Sequence, residues 1–109
     1  MLKLKYPRDL KKFENYELGV SDWFLIDQRL INAFAQLSGD DQWIHVDTGR
    51  ALNEMPDGKT IAHGLLSLCI SPTLGKNKIH IENLKHTLNY GIDKVRSVSY
   101  THLTLPTNA

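Results

Sequence analysis

The sequence predicts no disulfide, no secretory signal and no membrane span. A single cysteine, Cys69, excludes an internal disulfide. The start of the chain, Met-Leu-Lys-Leu-Lys, lacks the apolar core of a secretory signal. The best apolar stretch, residues 61–70, contains His63, and it has about half the length that a bilayer-spanning helix needs. We therefore expect a soluble, cytoplasmic protein with no membrane partner, in which Cys69 belongs to the core.

Neither sign of charge is in excess, since 13 basic and 12 acidic residues leave a net charge of +1. This balance gives no electrostatic reason to expect a nucleic-acid partner. We expect the basic residues that gather near the N-terminus to form a solvated surface. They are Lys3, Lys5, Arg8, Lys11 and Lys12. The length of 109 residues suits a single domain, and no repeat or linker divides it.

The first half of the chain predicts a short strand followed by an amphipathic helix. Residues 23–26, Trp-Phe-Leu-Ile, are bulky and partly β-branched, as in strands. Asp27 then suits the N-cap of a helix whose apolar residues recur at helical spacing. Ser38 and Gly39 predict its end. Residues 40–47 show neither a helical nor a strand period, so they predict a loop.

The second half predicts two further helices and a strand. Asp47 can cap a brief helix around residues 50–55, and Pro-Asp-Gly at 56–58 predicts a turn. A helix from about residue 62 is apolar on nearly every side and should be buried until Pro72 kinks it, before it ends near Gly75. Residues 86–95 are rich in β-formers and predict a strand with a bulge at Gly91.

Three motifs stand at spacings that resemble the hydratase motif of MaoC-like proteins. A helix ends in Ser-Gly-Asp at Asp40, a histidine follows at His45, and an apolar helix opens with His63-Gly64. The run Gln-Trp-Ile-His at 42–45, and Asn-Tyr-Gly at 89–91, are similar to the nodulation-protein-N-like subgroup. The resemblance covers roughly residues 18–96.

The resemblance implies an α+β hotdog fold, in which an antiparallel sheet wraps around the central helix that starts at Gly64. It implies an (R)-specific enoyl-CoA hydratase or dehydratase, which works on an acyl-CoA thioester and dimerises. It implies no metal or redox cofactor, because coenzyme A is part of the substrate.

The chemistry of hydration fits the same residues. It needs a base for water, a proton for the α-carbon and donors for the enolate oxygen. Imidazole exchanges protons near neutral pH, which suits His45 as the base, with Asp40 as its partner acid or orienting group. Gly64, at the start of a helix, offers a backbone N–H for the thioester oxygen.

Further residues are weaker candidates for substrate contact, and other chemistries lack a signature. Trp43, His63 and Ser67 could line the acyl pocket, whereas Asp47 suits a helix cap. A metal site from Asp40, His45 and Asp47 is conceivable by ligand type, but its spacing matches no signature and we expect none. No phosphate-binding loop or nucleophile elbow is present.

Two other functions stay open. A hotdog acyl-CoA thioesterase would also use an acidic group and a helix N-terminus, although the Asp-x4-His spacing at Asp40 and His45 favours a hydratase. A non-catalytic acyl-CoA-binding or assembly subunit is the second alternative.

The C-terminal residues 97–109 do not continue the family pattern. They resemble a translated sequencing-adapter tail, and their alternation of Thr and Ser with Tyr and Leu would suit an edge strand. We therefore expect residues 1–96 to form a partial MaoC-like hotdog domain and residues 97–109 to be non-native.

Overall fold

The computed structural model describes residues 1–97 and the backbone of residues 106–108. The chain divides into two compact units, one of residues 25–70 and one that joins residues 1–24 to the part after residue 70. Helices and short strands together confirm the α+β class. Within the described residues, no helix is long and apolar enough to cross a bilayer.

Helix α1, Gln28–Ser38, begins and ends where its caps predict. The Asp27 carboxylate accepts a hydrogen bond from the amide of Leu30, which satisfies one of the free N–H groups of the first turn. Gly39 takes the left-handed conformation at φ +79°, and its N–H donates to the carbonyl of Ala35. Ile31 and Ala35 form the buried face of the helix, while Leu37 lies off that face and is 84% exposed.

Two short helices follow in residues 40–55. The prediction of a plain loop over residues 40–47 is wrong, because α2, Trp43–Val46, forms one helical turn there. Asp47 caps α3, Thr48–Glu54, as predicted, and accepts from the amide of Arg50 at 2.9 Å. The turn at residues 56–58 is confirmed by a hydrogen bond from the N–H of Gly58 to the carbonyl of Met55.

Helix α4, Gly64–Cys69, starts at the predicted residue but is neither as long nor as buried as predicted. Leu66 is buried, whereas Leu65 is 63% exposed and Cys69 is exposed, so the predictions of a buried helix and of a core cysteine are wrong. An apolar pattern indicates which side chains a helix could bury, but those side chains are buried only where neighbouring elements pack against them. The helix stops at Cys69, and α5, Ser71–Leu74, contains Pro72 in its first turn, where a missing N–H breaks no helical hydrogen bond.

In the unit that contains the N-terminus, the described residues form two pairs of short strands and a 3-10 helix, Pro7–Phe13. Strand β1, Leu2–Leu4, pairs in parallel with β3, Ile79–Ile81, with Leu4 beside Ile81. Strand β2, Glu17–Val20, pairs antiparallel with β4, Pro106–Asn108. The register shifts between Glu17 and Gly19, where Gly19 takes φ +131°.

Neither predicted strand forms, and β3 forms in a segment for which the sequence predicts no strand. Residues 23–26 and 86–95 are extended or irregular, with no ladder partner among the described residues. β-propensity describes how well side chains fit a half-buried pleated surface, and Leu88, Tyr90 and Ile92 are 79%, 103% and 62% exposed. Gly91 is accordingly not a bulge in a ladder.

The wrapping of an antiparallel sheet around α4 stays a prediction, since the strands among the described residues form two separate pairs. The origin of residues 97–109 is equally untested. Residues 98–105 and 109 lie outside the described residues, and β4 shows only that residues 106–108 can pair as a strand.

Candidate active site

The Ser38-Gly39 turn at the end of α1 sets the position of Asp40. The hydroxyl of Ser38 donates to the carbonyl of Phe34 at 2.7 Å and accepts from the amide of Asp40 at 3.2 Å. The serine hydroxyl thus bonds back to the carbonyl four residues earlier and also holds the first residue beyond the turn. Gly39 allows the reversal, because its left-handed φ suits a residue without a Cβ.

The two carboxylate oxygens of Asp40 have different neighbours. Oδ1 accepts a hydrogen bond from the side-chain amide of Gln42 at 3.3 Å. Oδ2 lies 3.9 Å from Nε2 of His45, which is too far for a direct hydrogen bond. The Asp40 side chain is 44% exposed, and that of His45 is 8% exposed. The carboxylate therefore stands between solvent and a buried imidazole.

The tautomer of His45 follows from its hydrogen bond to the backbone. Nδ1 lies 2.7 Å from the carbonyl oxygen of Ile61, which can only accept. Nδ1 therefore holds the proton in the neutral ring, and Nε2 presents its lone pair on the side of Asp40. The N–H of Ile61 in turn donates to the carbonyl of Ile44, next to His45. Together these bonds fix the ring against the backbone at residue 61.

Gln28 is a supporting residue that the sequence reasoning missed. Its side-chain N–H groups donate to the backbone carbonyl of His45 at 2.7 Å and to Oδ1 of Asn32 at 2.9 Å. Its Oε1 accepts from the hydroxyl of Thr60 at 2.5 Å. A polar residue in the first turn of an amphipathic helix gives no sign of this role, because the partners lie far along the chain.

His63 lies against His45 and belongs to the same cluster. The two rings stack with centroids 3.8 Å apart and planes 22° apart, and the ring of Phe34 meets His63 edge-on. Nε2 of His63 lies 2.7 Å from the backbone carbonyl of Asp40, so this nitrogen is the donor. Its Nδ1 is buried and forms no hydrogen bond with the described residues. The structure thus brings Asp40, His45 and His63 together.

The other predicted site residues lie around this cluster or away from it. Gly64 follows His63 directly and is the first residue of α4. Ser67 is half-buried one turn further along, and its amide donates to the carbonyl of His63 at 3.4 Å. The ring of Trp43 contacts Arg50, whose guanidinium lies 4.0 Å from the ring centroid. Their contacts with a substrate stay predictions.

Asp40, His45 and His63 also form the group best suited to a metal ion among the described residues. Each offers one ligand atom, and these atoms lie within 4.8 Å of one another. Asp47, a conceivable third ligand by residue type, instead uses its carboxylate as the cap of α3. The absence of a cofactor stays a prediction.

Comparison with known proteins finds one family that this sequence matches. Residues 11–101 match the family model described as MaoC like domain. The chain is 43% identical over 88 residues to 3-hydroxyacyl-thioester dehydratase Z of Mycobacterium tuberculosis, which covers 81% of this chain and 58% of that protein. It is 42% identical over 94 residues to Nodulation protein N of Rhizobium meliloti, covering 84% of this chain and 57% of that protein. The chain therefore spans a little over half the length of these relatives.

Proposed function

The chain belongs to the MaoC-like domain family, and on that basis we propose that it reversibly hydrates 2-enoyl-CoA thioesters to 3-hydroxyacyl-CoA. One observation supports this most directly. A buried imidazole, fixed as the Nδ1–H tautomer by Ile61, holds its free Nε2 at 3.9 Å from the Asp40 carboxylate. Two acceptors at that separation suit a water molecule that donates one hydrogen to each.

The distance decides how the pair would work. Water oxygen lies about 2.8 Å from each acceptor in such a bridge, so it fits between groups that are too far apart to bond directly. His45 removes one proton as the water oxygen adds to the β-carbon of the substrate. Asp40, as a carboxylate, orients the water and then relays the proton from the His45 imidazolium to the α-carbon, which restores both groups. No net proton is released, because addition of water supplies both the hydroxyl and the α-hydrogen.

The thioester oxygen needs a donor while negative charge develops on it. We propose the backbone N–H of Gly64 for this role, since the first N–H groups of a helix have no partner within the helix. Gly64 follows His63, whose ring stacks on the proposed base. Loss of one oxyanion donor typically costs about 3 kcal/mol of transition-state stabilisation.

The name of the mycobacterial relative states a 3-hydroxyacyl thioester, which is the product side of the proposed reaction. We extend that substrate class to this chain because the match to the family model includes residues 40–64, which contain Asp40, His45 and His63. The name of the rhizobial relative states no chemistry.

Incubation with crotonyl-CoA tests the proposal against its two rivals. Hydration removes the absorbance of the conjugated enoyl group and releases no free thiol. Release of free thiol would instead identify a thioesterase. If neither signal appears while the acyl-CoA still binds, the chain is an acyl-CoA-binding or assembly subunit and the proposal is wrong.

The family also supports two structural proposals for the folded protein. We propose that its complete sheet takes the hotdog arrangement around α4, and that the protein is a homodimer. Apolar side chains on the outside of the unit of residues 25–70 would suit a partner subunit, with Leu65 63% and Ile61 46% exposed. Sedimentation of a single species at twice the chain mass would support the dimer, and a monomer at micromolar concentration would contradict it.

A further inference from the structure

We propose that Asp40, His45 and His63 bind a divalent transition-metal ion of the Zn²⁺ type, and that the bound ion inhibits hydration by occupying Nε2 of His45. The binding site stands on the geometry alone. Its inhibitory effect rests on the function proposed above.

Both imidazoles have the hydrogen-bonding pattern of metal-binding histidines. In such residues one ring nitrogen donates to a carbonyl or carboxylate, which fixes the tautomer and leaves the other nitrogen to bind the metal. His45 donates through Nδ1 to the carbonyl of Ile61 at 2.7 Å. His63 donates through Nε2 to the carbonyl of Asp40 at 2.7 Å. One nitrogen with a free lone pair therefore remains on each neutral ring.

The free nitrogen of His63 is the less expected of the two. His63 is only 3% exposed, and its Nδ1 has no hydrogen-bond partner among the described residues. Buried polar atoms are nearly always paired, so an unpaired one calls for an explanation. The hydration mechanism gives this nitrogen no task, whereas a metal ion would accept its lone pair.

The carboxylate of Asp40 completes a set of two nitrogen ligands and one oxygen ligand. One ligand atom from each residue, an imidazole nitrogen or a carboxylate oxygen, lies within 4.8 Å of the other two. Ligands on one Zn²⁺ stand about 3.3 Å apart, given Zn–N and Zn–O distances near 2.0 Å in a tetrahedron. The Asp40 carboxylate can move closer to the two imidazoles, because its side chain is 44% exposed and can rotate. The in-plane lone pairs of stacked rings do not converge, so the two rings, whose planes are 22° apart, must also turn toward one another to bind one ion.

The ligand types determine which ions should bind. Imidazole with carboxylate suits Zn²⁺, Co²⁺, Ni²⁺ and Cu²⁺, whereas Mg²⁺ and Ca²⁺ prefer all-oxygen sites. Three protein ligands leave one position for water on the side where Asp40 meets solvent. The same ion would displace the water that the Asp40–His45 pair is proposed to activate.

Titration with Co²⁺ tests binding without any substrate. We expect a visible absorption band that saturates at one ion per chain and disappears when Zn²⁺ is added. His63→Gln and Asp40→Asn should each weaken binding at least about tenfold, on the scale seen when metal-site partners are lost. The matched control is His80→Gln, since His80 is an exposed imidazole on β3 and should leave binding unchanged.

Circular dichroism separates loss of a ligand from loss of the fold, and Asp40→Asn keeps both rings if His63→Gln unfolds. Failure of the wild-type chain to bind Co²⁺, or wild-type affinity in a folded Asp40→Asn variant, would refute the site. Magnesium at the same concentration should give no competition. If the chain hydrates crotonyl-CoA, the rate should fall in proportion to Zn²⁺ occupancy and return with a chelator. A chain that binds Co²⁺ but lacks hydratase activity would refute the proposed function and not the metal site.

Discussion

The side-chain amide of Gln28 donates a 2.7 Å hydrogen bond to the backbone carbonyl of His45, a residue 17 positions further along the chain. The same side chain accepts from the hydroxyl of Thr60. The first turn of α1 is thus joined to α2 and to the segment that leads to His63. Because the ring of His45 is held at Nδ1 by Ile61, its backbone and its side chain are fixed independently.

Replacement of Gln28 by leucine should weaken both the fold and the reaction. Leucine has a similar size but leaves the carbonyl of His45 and the hydroxyl of Thr60 without their partner. Loss of a partner for part-buried polar groups costs about 1–3 kcal/mol of unfolding free energy. Urea denaturation measures this, and kcat should fall more than KM changes, because the base is displaced and not removed. Gln36→Leu, on the exposed side of the same helix, is the control. Equal losses in the two variants would argue against a positioning role.

Replacement of His45 by glutamine should remove the proposed base. General base catalysis contributes about 10²–10⁴-fold, so kcat/KM for crotonyl-CoA should fall by that order. Asp40→Asn should lower it as well, since an amide cannot exchange the α-proton. His80→Gln removes an exposed imidazole instead and should retain full activity. A folded His45→Gln variant with near wild-type turnover would contradict the mechanism.

Alanine at Gly39 should destabilise the chain through the backbone alone. A Cβ built at this position meets nothing within 4 Å, so crowding does not contribute. The left-handed φ of +79° costs an L-residue about 1–2 kcal/mol, and asparagine should cost less than alanine. Gly49→Ala in α3 is the opposite case. Its Cβ would meet only Oδ1 of Asp47 at 3.7 Å, and helix propensity should stabilise the chain by about 0.5 kcal/mol. Urea unfolding that gives both variants the same sign would refute this account.

Alanine at Asp47 should affect stability without affecting chemistry. The carboxylate of Asp47 caps α3 by accepting from the amide of Arg50, and loss of a cap costs about 1 kcal/mol. Asp47→Asn should restore most of that stability, because an amide oxygen can accept the same bond. The exposed neighbour Asp41 offers a control, and Asp41→Ala should change stability by less than about 0.5 kcal/mol. A loss of Co²⁺ binding in folded Asp47→Ala would instead place Asp47 among the metal ligands.

Local capping rules predicted the frame of the site correctly. Asp27, Gly39 and Asp47 each bond within a few residues of their own position, so the sequence alone located the bounds of α1 and the start of α3. The motif spacing also selected Asp40 and His45, and the structure places Oδ2 of Asp40 3.9 Å from Nε2 of His45. Their catalytic roles stay predictions.

Strand propensity and apolar patterning were less reliable wherever an element needs a partner strand or a neighbouring helix to form or to be buried. Residues 23–26 and 86–95 have the composition of strands, yet no described strand pairs with them. Strand β3 was overlooked, because its three residues gain their strand character only by pairing with β1. The apolar surface of α4 likewise predicted burial that its neighbours supply only at Leu66.

The sequence by itself determined the helix caps, the turn that presents Asp40, and the family. All of these depend on residues close together in the chain or on motif spacing. Only the tertiary structure decided which nitrogen of His45 is free, that His63 stacks on it, and that Gln28 supports its backbone. These contacts join residues 16, 17 and 18 positions apart, and no local rule specifies which distant carbonyl an imidazole or amide will meet. That choice arises when burial forces each polar group in the cluster to find a partner.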